Sequence, residues 1–246
     1  MTALDLAIER HVVTLRLTGP ARFHFHHGPA VMGLLCAALE THPLPERLAP
    51  FACESGVVSF EAGEPYRLGF TVIGSDAGLG DAVVVGLERV GRERPGGRPP
   101  ALGGNFVVEG HEAQPPPDLA AEVAALAGQQ RLELVLLSPL RMGRPAELRV
   151  KGEAYLNGAC FPVDHFLARL WARVLRLTLG REPSRVEAVA RRPPMPRRGR
   201  AVPGALLWLD VPSRSPAPGR PRGTTVGGVL GTVELRGVTR AWLPLL

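Results

Sequence analysis

Three consecutive prolines, Pro115-Pro116-Pro117, stand between two stretches of chain that each run through strand, helix, strand and strand in the same order. Proline has no amide proton for a ladder and fixes its own φ, so a triplet stops whatever secondary structure precedes it. The fold must therefore be assembled from a part before the triplet and a part after it. With 246 residues, each part is long enough for a core of its own.

In the first part, residues 11–17 (HVVTLRL) alternate apolar and polar and predict a strand. Residues 29–41 predict a helix, with proline in its first turn and Val31, Leu34, Leu35, Ala38 and Leu39 on one face. Residues 55–60 and 66–73 predict two strands around the turn Ala62-Gly63-Glu64-Pro65. Residues 81–94 predict a helix opened by Asp81, and residues 105–110 a closing strand. This β-α-β-β-α-β order is the ferredoxin-like pattern.

After the triplet, Asp118 is placed to cap a short alanine-rich helix. Residues 131–140 (RLELVLLSPL) predict a strand, residues 163–179 the best helix in the chain, and residues 204–211 and 226–235 two further strands. Residues 240–246 give at most one helical turn. The expected fold class is α+β: two tandem ferredoxin-like units, the second incomplete at its C-terminus. The boundaries fall at residues 1–114, a linker at 115–130, and residues 131–246. A missing last strand predicts an unpaired sheet edge and an exposed apolar terminus.

Charge divides the chain at the same place. Residues 1–130 hold 9 arginines against 15 acidic residues, whereas residues 131–246 hold 20 basic against 8 acidic. An acidic half joined to a strongly basic half is the distribution expected of a polyanion binder with a defined footprint. Lys151 is the single lysine among 29 basic residues. Arginine forks onto phosphates and stacks on bases, which suits RNA, although a GC-rich genome also favours arginine codons.

Several function classes are excluded. No apolar run approaches the roughly 18–20 residues of a membrane span. Asp5 and Glu9 interrupt any signal-peptide core. Cys36, Cys53 and Cys160 are too few and too scattered for a disulfide scaffold or a zinc knuckle, so a reducing cytoplasm is expected. There is no phosphate-binding loop, dinucleotide fingerprint, nucleophile elbow or His-Glu-x-x-His motif. The glycines of Gly227-Gly228-Val229-Leu230-Gly231 lie within a strand and mark close backbone approach rather than a nucleotide site.

The densest titratable cluster is Phe23-His24-Phe25-His26-His27. If extended, it places His24 and His26 on one face and Phe23, Phe25 and His27 on the other. Three readings stay open: a loop of partly exposed histidines, a general acid/base site near neutral pH, or a metal site lacking a visible third ligand.

The helix at residues 163–179 carries Phe166, Leu170, Val174 and Leu177 on one side and Arg169, Arg173 and Arg176 on another, with no acid at i±4. Such a stripe is a solvated face or a phosphate rail. Arg191 to Arg222 holds eight arginines and eight prolines against one acid. Two basic loops, with Arg191, Arg192, Arg197, Arg198 and Arg200 in the first and Arg214, Arg220 and Arg222 in the second, flank a strand. They could grip an RNA backbone or simply keep the chain soluble.

Two such units, one basic, resemble the RAMP proteins of CRISPR systems. The run Leu136-Leu137-Ser138-Pro139-Leu140-Arg141 is similar to the strand that opens the second unit of the CRISPR repeat-processing endoribonucleases, the Cas-six family. Phe161 to Arg173 resembles the helix that follows there. Ser213-Arg214-Ser215, leading to Val226-Gly227-Gly228 and on to Gly237, resembles the family's approach to its Gly-Gly-x-x-Gly strand. Arg240 to Leu246 resembles the start of its next helix. The first half matches more loosely, through the helix from Pro29 and the strand from Arg67 to Gly74. The family continues into a Gly-rich loop and a last strand, whereas this sequence stops first and is read as a short or divergent member.

The resemblance implies a metal-independent, cofactor-free endoribonuclease of antiviral defence. It would bind CRISPR repeat stem-loops and cleave precursor RNA by 2′-OH attack, leaving a 2′,3′-cyclic phosphate and a 5′-OH. The family's catalytic histidine commonly lies between the first strand and first helix, which points to His26, then His27 and His24, with Tyr66 or a nearby arginine as the second group. RNA contacts would fall on Arg141, Arg149, Lys151, Arg169, Arg173, Arg176 and the arginines of the two basic loops. Other CRISPR effector subunits are the expected partners, one of them covering the open sheet edge; a membrane is not. A non-catalytic RAMP subunit that holds guide RNA, and a basic scaffold unrelated to CRISPR, are the alternatives.

Overall fold

A computed structural model describes residues 7–23, 27–54, 56–74, 78–92, 102, 105–115, 118–129, 131–148, 155, 161–179, 181–190, 192–196, 199–213 and 224–245. The chain is a mixture of helix and antiparallel sheet and divides into two compact units, Met1–Pro117 and Asp118–Leu246.

Unit 1 contains β1 (Ile8–Leu17), β2 (Ala21–Arg22), α1 (Gly28–Ala38), β3 (Leu48–Ala52), β4 (Ser59–Phe60), β5 (Pro65–Ile73), α2 (Leu79–Arg92) and β6 (Phe106–Gln114). Its main sheet has the order β3-β5-β1-β6 with antiparallel neighbours, while β2 and β4 form a separate two-residue ribbon. Alternation decides which side is covered. Val13, Leu15 and Leu17 of β1 and Leu68, Phe70 and Val72 of β5 are buried with Val31, Leu34 and Leu35 of α1 and Val83 and Leu87 of α2. The two helices touch at Gly86, where a Cβ would sit 2.1 Å from the Ala38 carbonyl oxygen. Arg89 then caps α1, donating to the carbonyls of Ala37 and Ala38 and pairing with Glu40.

One expected strand is corrected. The partner of β5 is Leu48–Ala52, not residues 55–60, of which Ser59–Phe60 pair with Ala21–Arg22 instead. Pro50 hides β3 from a propensity reading. Proline is tolerated there because β3 is an edge strand.

Unit 2 contains α3 (Leu119–Leu126), β7 (Arg131–Leu140), a 3₁₀ turn at Ala146–Leu148, α4 (Val163–Leu179), α5 (Arg185–Ala190), β8 (Arg200–Ser213), β9 (Thr224–Arg236) and a second 3₁₀ turn at Arg240–Leu245. The Asp118 carboxylate accepts from the Ala121 amide at 3.0 Å and caps α3, as its position predicts. The sheet order is β7-β9-β8, and among the described residues both outer strands pair on one side only.

Glycine shapes the β8–β9 hairpin. Gly231 has φ +113°, and a Cβ there would lie 1.8 Å from the Ala205 carbonyl oxygen, at the register shift between Pro203 and Leu206. The expectation of close backbone approach is met at this glycine.

Two expectations about unit 2 fail. α4 buries Val163, Leu167, Trp171, Leu175 and Leu177; of the expected stripe Leu177 is buried, while Phe166, Leu170 and Val174 are only half-buried, one position round from Leu167, Trp171 and Leu175. Trp171 sets that rotation, burying its ring and donating its indole N–H to Ala188 O at 2.9 Å. The apolar segment after β9 is not exposed either: Trp242 and Leu243 are buried, and the Trp242 indole donates to Pro194 O at 2.9 Å. An indole gains more by burial with its N–H satisfied than by any exposed placement.

Candidate functional site

Of the three candidate histidines, His24 and His26 lie outside the described residues. His27 begins α1 and has no exposed surface. Its ring stacks on Phe23 with centroids 4.6 Å and planes 23° apart, and Phe60 and Tyr66 complete an aromatic cage. Nε2 donates to the Val57 carbonyl at 2.8 Å, which leaves Nδ1 to accept from the Tyr66 hydroxyl at 3.2 Å. Burial lowers the His27 pKa, against the raising effect of the Val57 bond, and burial also pushes the Tyr66 hydroxyl up. Both ring nitrogens are thus engaged at the start of α1. His27 and Tyr66, both expected near the chemistry, are buried in this aromatic cage.

A second histidine pair has no sequence signature, because its members are a hundred positions apart. His11 of β1 and His111 of β6 meet across the sheet, Nδ1 to Nε2 at 2.9 Å, with ring planes 13° apart. His11 also stacks on Phe70, and Gly80 at the start of α2 makes room for it, since a Cβ there would lie 2.6 Å from the ring. Glu9 Oε2 stands 3.6 Å from His11 Nε2. Burial and the neighbouring His111 lower the His11 pKa, opposed by Glu9 and Asp81.

The arginine candidates scatter more than their sequence pattern suggests. Arg169 is exposed on α4, while Arg173 and Arg176 are half-buried. Arg176 pairs with Glu182 at 3.2 Å, so the stripe is not free of acid: the partner comes from the loop after α4, beyond the i±4 window. The Arg141 guanidinium lies over the Tyr155 ring, 3.9 Å from its centroid. Arg192 is half-buried and Arg200 exposed. Arg149, Lys151, Arg191, Arg197, Arg198, Arg214, Arg220 and Arg222 lie outside the described residues.

Strand register adds Arg131 and Arg236, which the sequence did not single out, to the expected Arg200. Arg131 of β7 stands opposite Arg236 of β9, and Arg236 stands opposite Arg200 of β8. Residues opposite one another share a face, so three arginines form one row across the sheet. Their neighbours Leu132 and Leu235 point to the buried face, which puts the arginines on the open one. Glu234, one row along, is hydrogen-bonded to Arg236; that bond, with the nearby charges of Arg131 and Arg200, holds its carboxyl below the usual range. Like charges directly opposite one another destabilise a sheet, and an anion lying across the row would relieve them.

Three solved structures have this arrangement of elements over nearly the whole chain. A partial Cas6-RT-Cas1–Cas2 complex matches with a TM-score of 0.66 at 16% identity, covering 97% of this chain and 42% of that one. A product complex of Thermus thermophilus Cas6 matches at 0.57 and 16% identity, covering 97% and 89%. A Cas6-related protein from Pyrococcus furiosus matches at 0.51 and 11%, covering 96% and 90%. The chain has a Cas6-like fold.

This chain spans less than half the length of the first of these neighbours. No family model and no curated protein matches its sequence. On the Cas6-like fold, the arginine row lies in unit 2 and both described histidine sites lie in unit 1. Among the described residues no helix is long and apolar enough to cross a membrane, and no group of three or more metal-ligating side chains converges.

Proposed function

We propose that this protein binds CRISPR repeat RNA and processes precursor transcripts as a metal-independent endoribonuclease. The observation that carries RNA binding is the row Arg131–Arg236–Arg200 on the open face of a sheet in the basic half of the chain. Glu234 pairs with the central guanidinium of this row, and a phosphate backbone would neutralise the charge that remains. Each unit is read as ferredoxin-like. The sheet order β3-β5-β1-β6 supports this for unit 1, and β7-β9-β8 supplies the corresponding first three strands in unit 2.

Cleavage on this reading follows the chemistry of 2′-OH attack. A base removes the 2′-OH proton, the oxygen attacks the adjacent phosphorus, and the 5′-oxygen leaves with a proton from an acid. Guanidiniums stabilise the charge that gathers on the phosphoryl oxygens. His26 is the proposed base, with His24 as the alternative. The proposed partners are repeat RNA or mature crRNA and other Cas proteins, the company in which the first structural neighbour was solved.

Incubation of the purified chain with cognate repeat RNA in excess EDTA, beside a substrate with a 2′-deoxy residue at the scission site, tests this directly. A single cut, blocked by the 2′-deoxy group and lost in His26→Ala, is expected. The engagement of His27 within the core favours a second reading, a RAMP subunit that holds guide RNA without cutting it. Repeat-specific binding with no product would establish that reading instead. Arg131→Gln with Arg200→Gln should weaken binding in either case and reduce the salt slope by roughly one to two units.

A further inference from the structure

The open face of the unit 1 sheet carries a feature that neither the histidines nor the unit 2 arginines use. Phe51, on the edge strand β3, lies flat across β5 at Gly69, where a Cβ would stand 2.1 Å from its ring. Glycine at that position is what lets the ring lie down. The Arg10 guanidinium of β1 sits over the ring, 4.4 Å from its centroid. Register places Phe51, Gly69 and Val12 in one row, Thr71 and Arg10 in the next, and Arg67 and Thr14 on the other side. Phe51 is therefore flanked by two arginines on a single face, opposite the face that α1 and α2 cover. Arg10 and Arg67 are exposed and Phe51 is half-buried. Burial raises the pKa of the nearby Cys53 thiol, and the Arg67 and Arg10 guanidiniums oppose that rise. Glu54 accepts from the Arg67 backbone amide, which leaves the guanidinium out of that bond.

An aromatic ring between two cations, set in a unit whose net charge is negative, matches one ligand chemistry: a flat base with a phosphate on either side. A protein surface would want a wider apolar patch. Here Phe51 is the one large apolar side chain of its row that keeps some exposure, and Val12 beside it is buried.

We propose that Phe51, Arg10 and Arg67 form a stacking site for single-stranded RNA. A base lies on the Phe51 ring in place of the Arg10 guanidinium, which moves to the adjacent phosphate, and Arg67 takes the phosphate on the other side. The site rests on the repeat-RNA reading above and divides its substrate: the unpaired flank goes to unit 1, and the arginine row of unit 2 serves the stem. No bond is made or broken, so the site sets affinity and register rather than rate.

The test uses two fluorescent probes, a blunt repeat stem-loop and the same stem-loop with an unpaired flank of about eight nucleotides. Both are titrated with the full chain, Phe51→Ala, Phe51→Leu and Arg10→Gln. The flanked probe should lose about tenfold in affinity with Phe51→Ala and nearly as much with Phe51→Leu, which keeps the apolar bulk on the edge strand without a π face. Arg10→Gln should cost a few-fold and lower the salt slope. The blunt probe should bind all four proteins alike. Equal affinity of wild type and both Phe51 variants for the flanked probe would overturn the stacking site while leaving RNA binding intact. Full affinity in Phe51→Leu alone would reduce it to an apolar contact and overturn stacking. A wild-type chain that binds neither probe would fail the repeat-RNA reading itself, and the site with it.

Discussion

Unit 1 covers a four-stranded sheet with two helices locked together at Gly86. Unit 2 has one long helix and a three-stranded sheet, and buries the tryptophans Trp171 and Trp242. The polar chemistry divides in the same way. Six of the seven histidines and the acidic excess lie in unit 1; all three tryptophans and the basic excess lie in unit 2. Two units with similar strand orders have thus been given opposite surfaces, which lets each be probed without the other. Tryptophan fluorescence reports unit 2 alone, and the titration of buried histidine reports unit 1 alone.

The strongest challenge to that separation is Trp242→Ala. It empties a fully buried indole site and strands the Pro194 carbonyl, so unit 2 should lose roughly 3–5 kcal/mol. Urea unfolding followed by the fluorescence of Trp171 and Trp208 should shift to lower denaturant, while hydrogen exchange in α1 and β1 keeps its wild-type protection. Loss of protection in α1 as well would mean that the units do not fold separately.

Next come two glycines that the sheets need for different reasons. Gly231→Ala puts a Cβ against backbone at a positive φ, and should cost unit 2 roughly 3 kcal/mol or more. Gly69→Ala meets only the Phe51 ring, which can swing away, so unit 1 should lose about 1 kcal/mol. Urea midpoints of the two variants measure the difference directly, and equal losses would remove the distinction.

Tyr66→Phe tests whether His27 is a core residue. Removing the hydroxyl leaves Nδ1 of a buried imidazole without its donor, and about 1–2 kcal/mol of unit 1 stability should go. RNA cleavage per folded molecule should stay unchanged. A large drop in cleavage at full stability would return Tyr66 to the chemistry. Asp118→Ala removes the cap of α3 and should cost about 1 kcal/mol, read as a lower urea midpoint in unit 2.

The smallest effect near neutrality is that of pH. His11 and His27 both have their pKa lowered below 6.5, chiefly by burial. The unfolded chain takes up those protons first, so their contribution is whole above pH 6.5. It is lost as pH falls from there towards the lowered folded values. Between about pH 7.5 and about pH 5.5, the circular-dichroism transition that contains unit 1 should move to lower urea more than the tryptophan transition does. Parallel movement of the two would mean that the histidines are not the cause.

Periodicity and punctuation made much of this architecture legible in the sequence. The alternation of β1, the apolar face of α1 and the cap at Asp118 are local physics, set by side chains within a few residues of one another. β3 escaped because its proline contradicts strand propensity, and only its place at the edge of a sheet makes that proline harmless. The face of α4 was misread by one position because Trp171 outweighs three smaller apolar residues once it finds Ala188 O, a partner seventeen residues away.

The site follows the same division. The sequence by itself determined that one half is acidic, the other basic, and that a histidine cluster leads into the first helix. Tertiary structure decided what those residues can do. It closed an aromatic cage over His27, brought His11 to His111, gave Arg176 a carboxylate from beyond its helix, and aligned Arg131, Arg236 and Arg200 in one row. Charge and periodicity are properties of composition and near neighbours. Burial and cross-strand register depend on residues a hundred positions apart, whose pairing exists only after the sheet has formed.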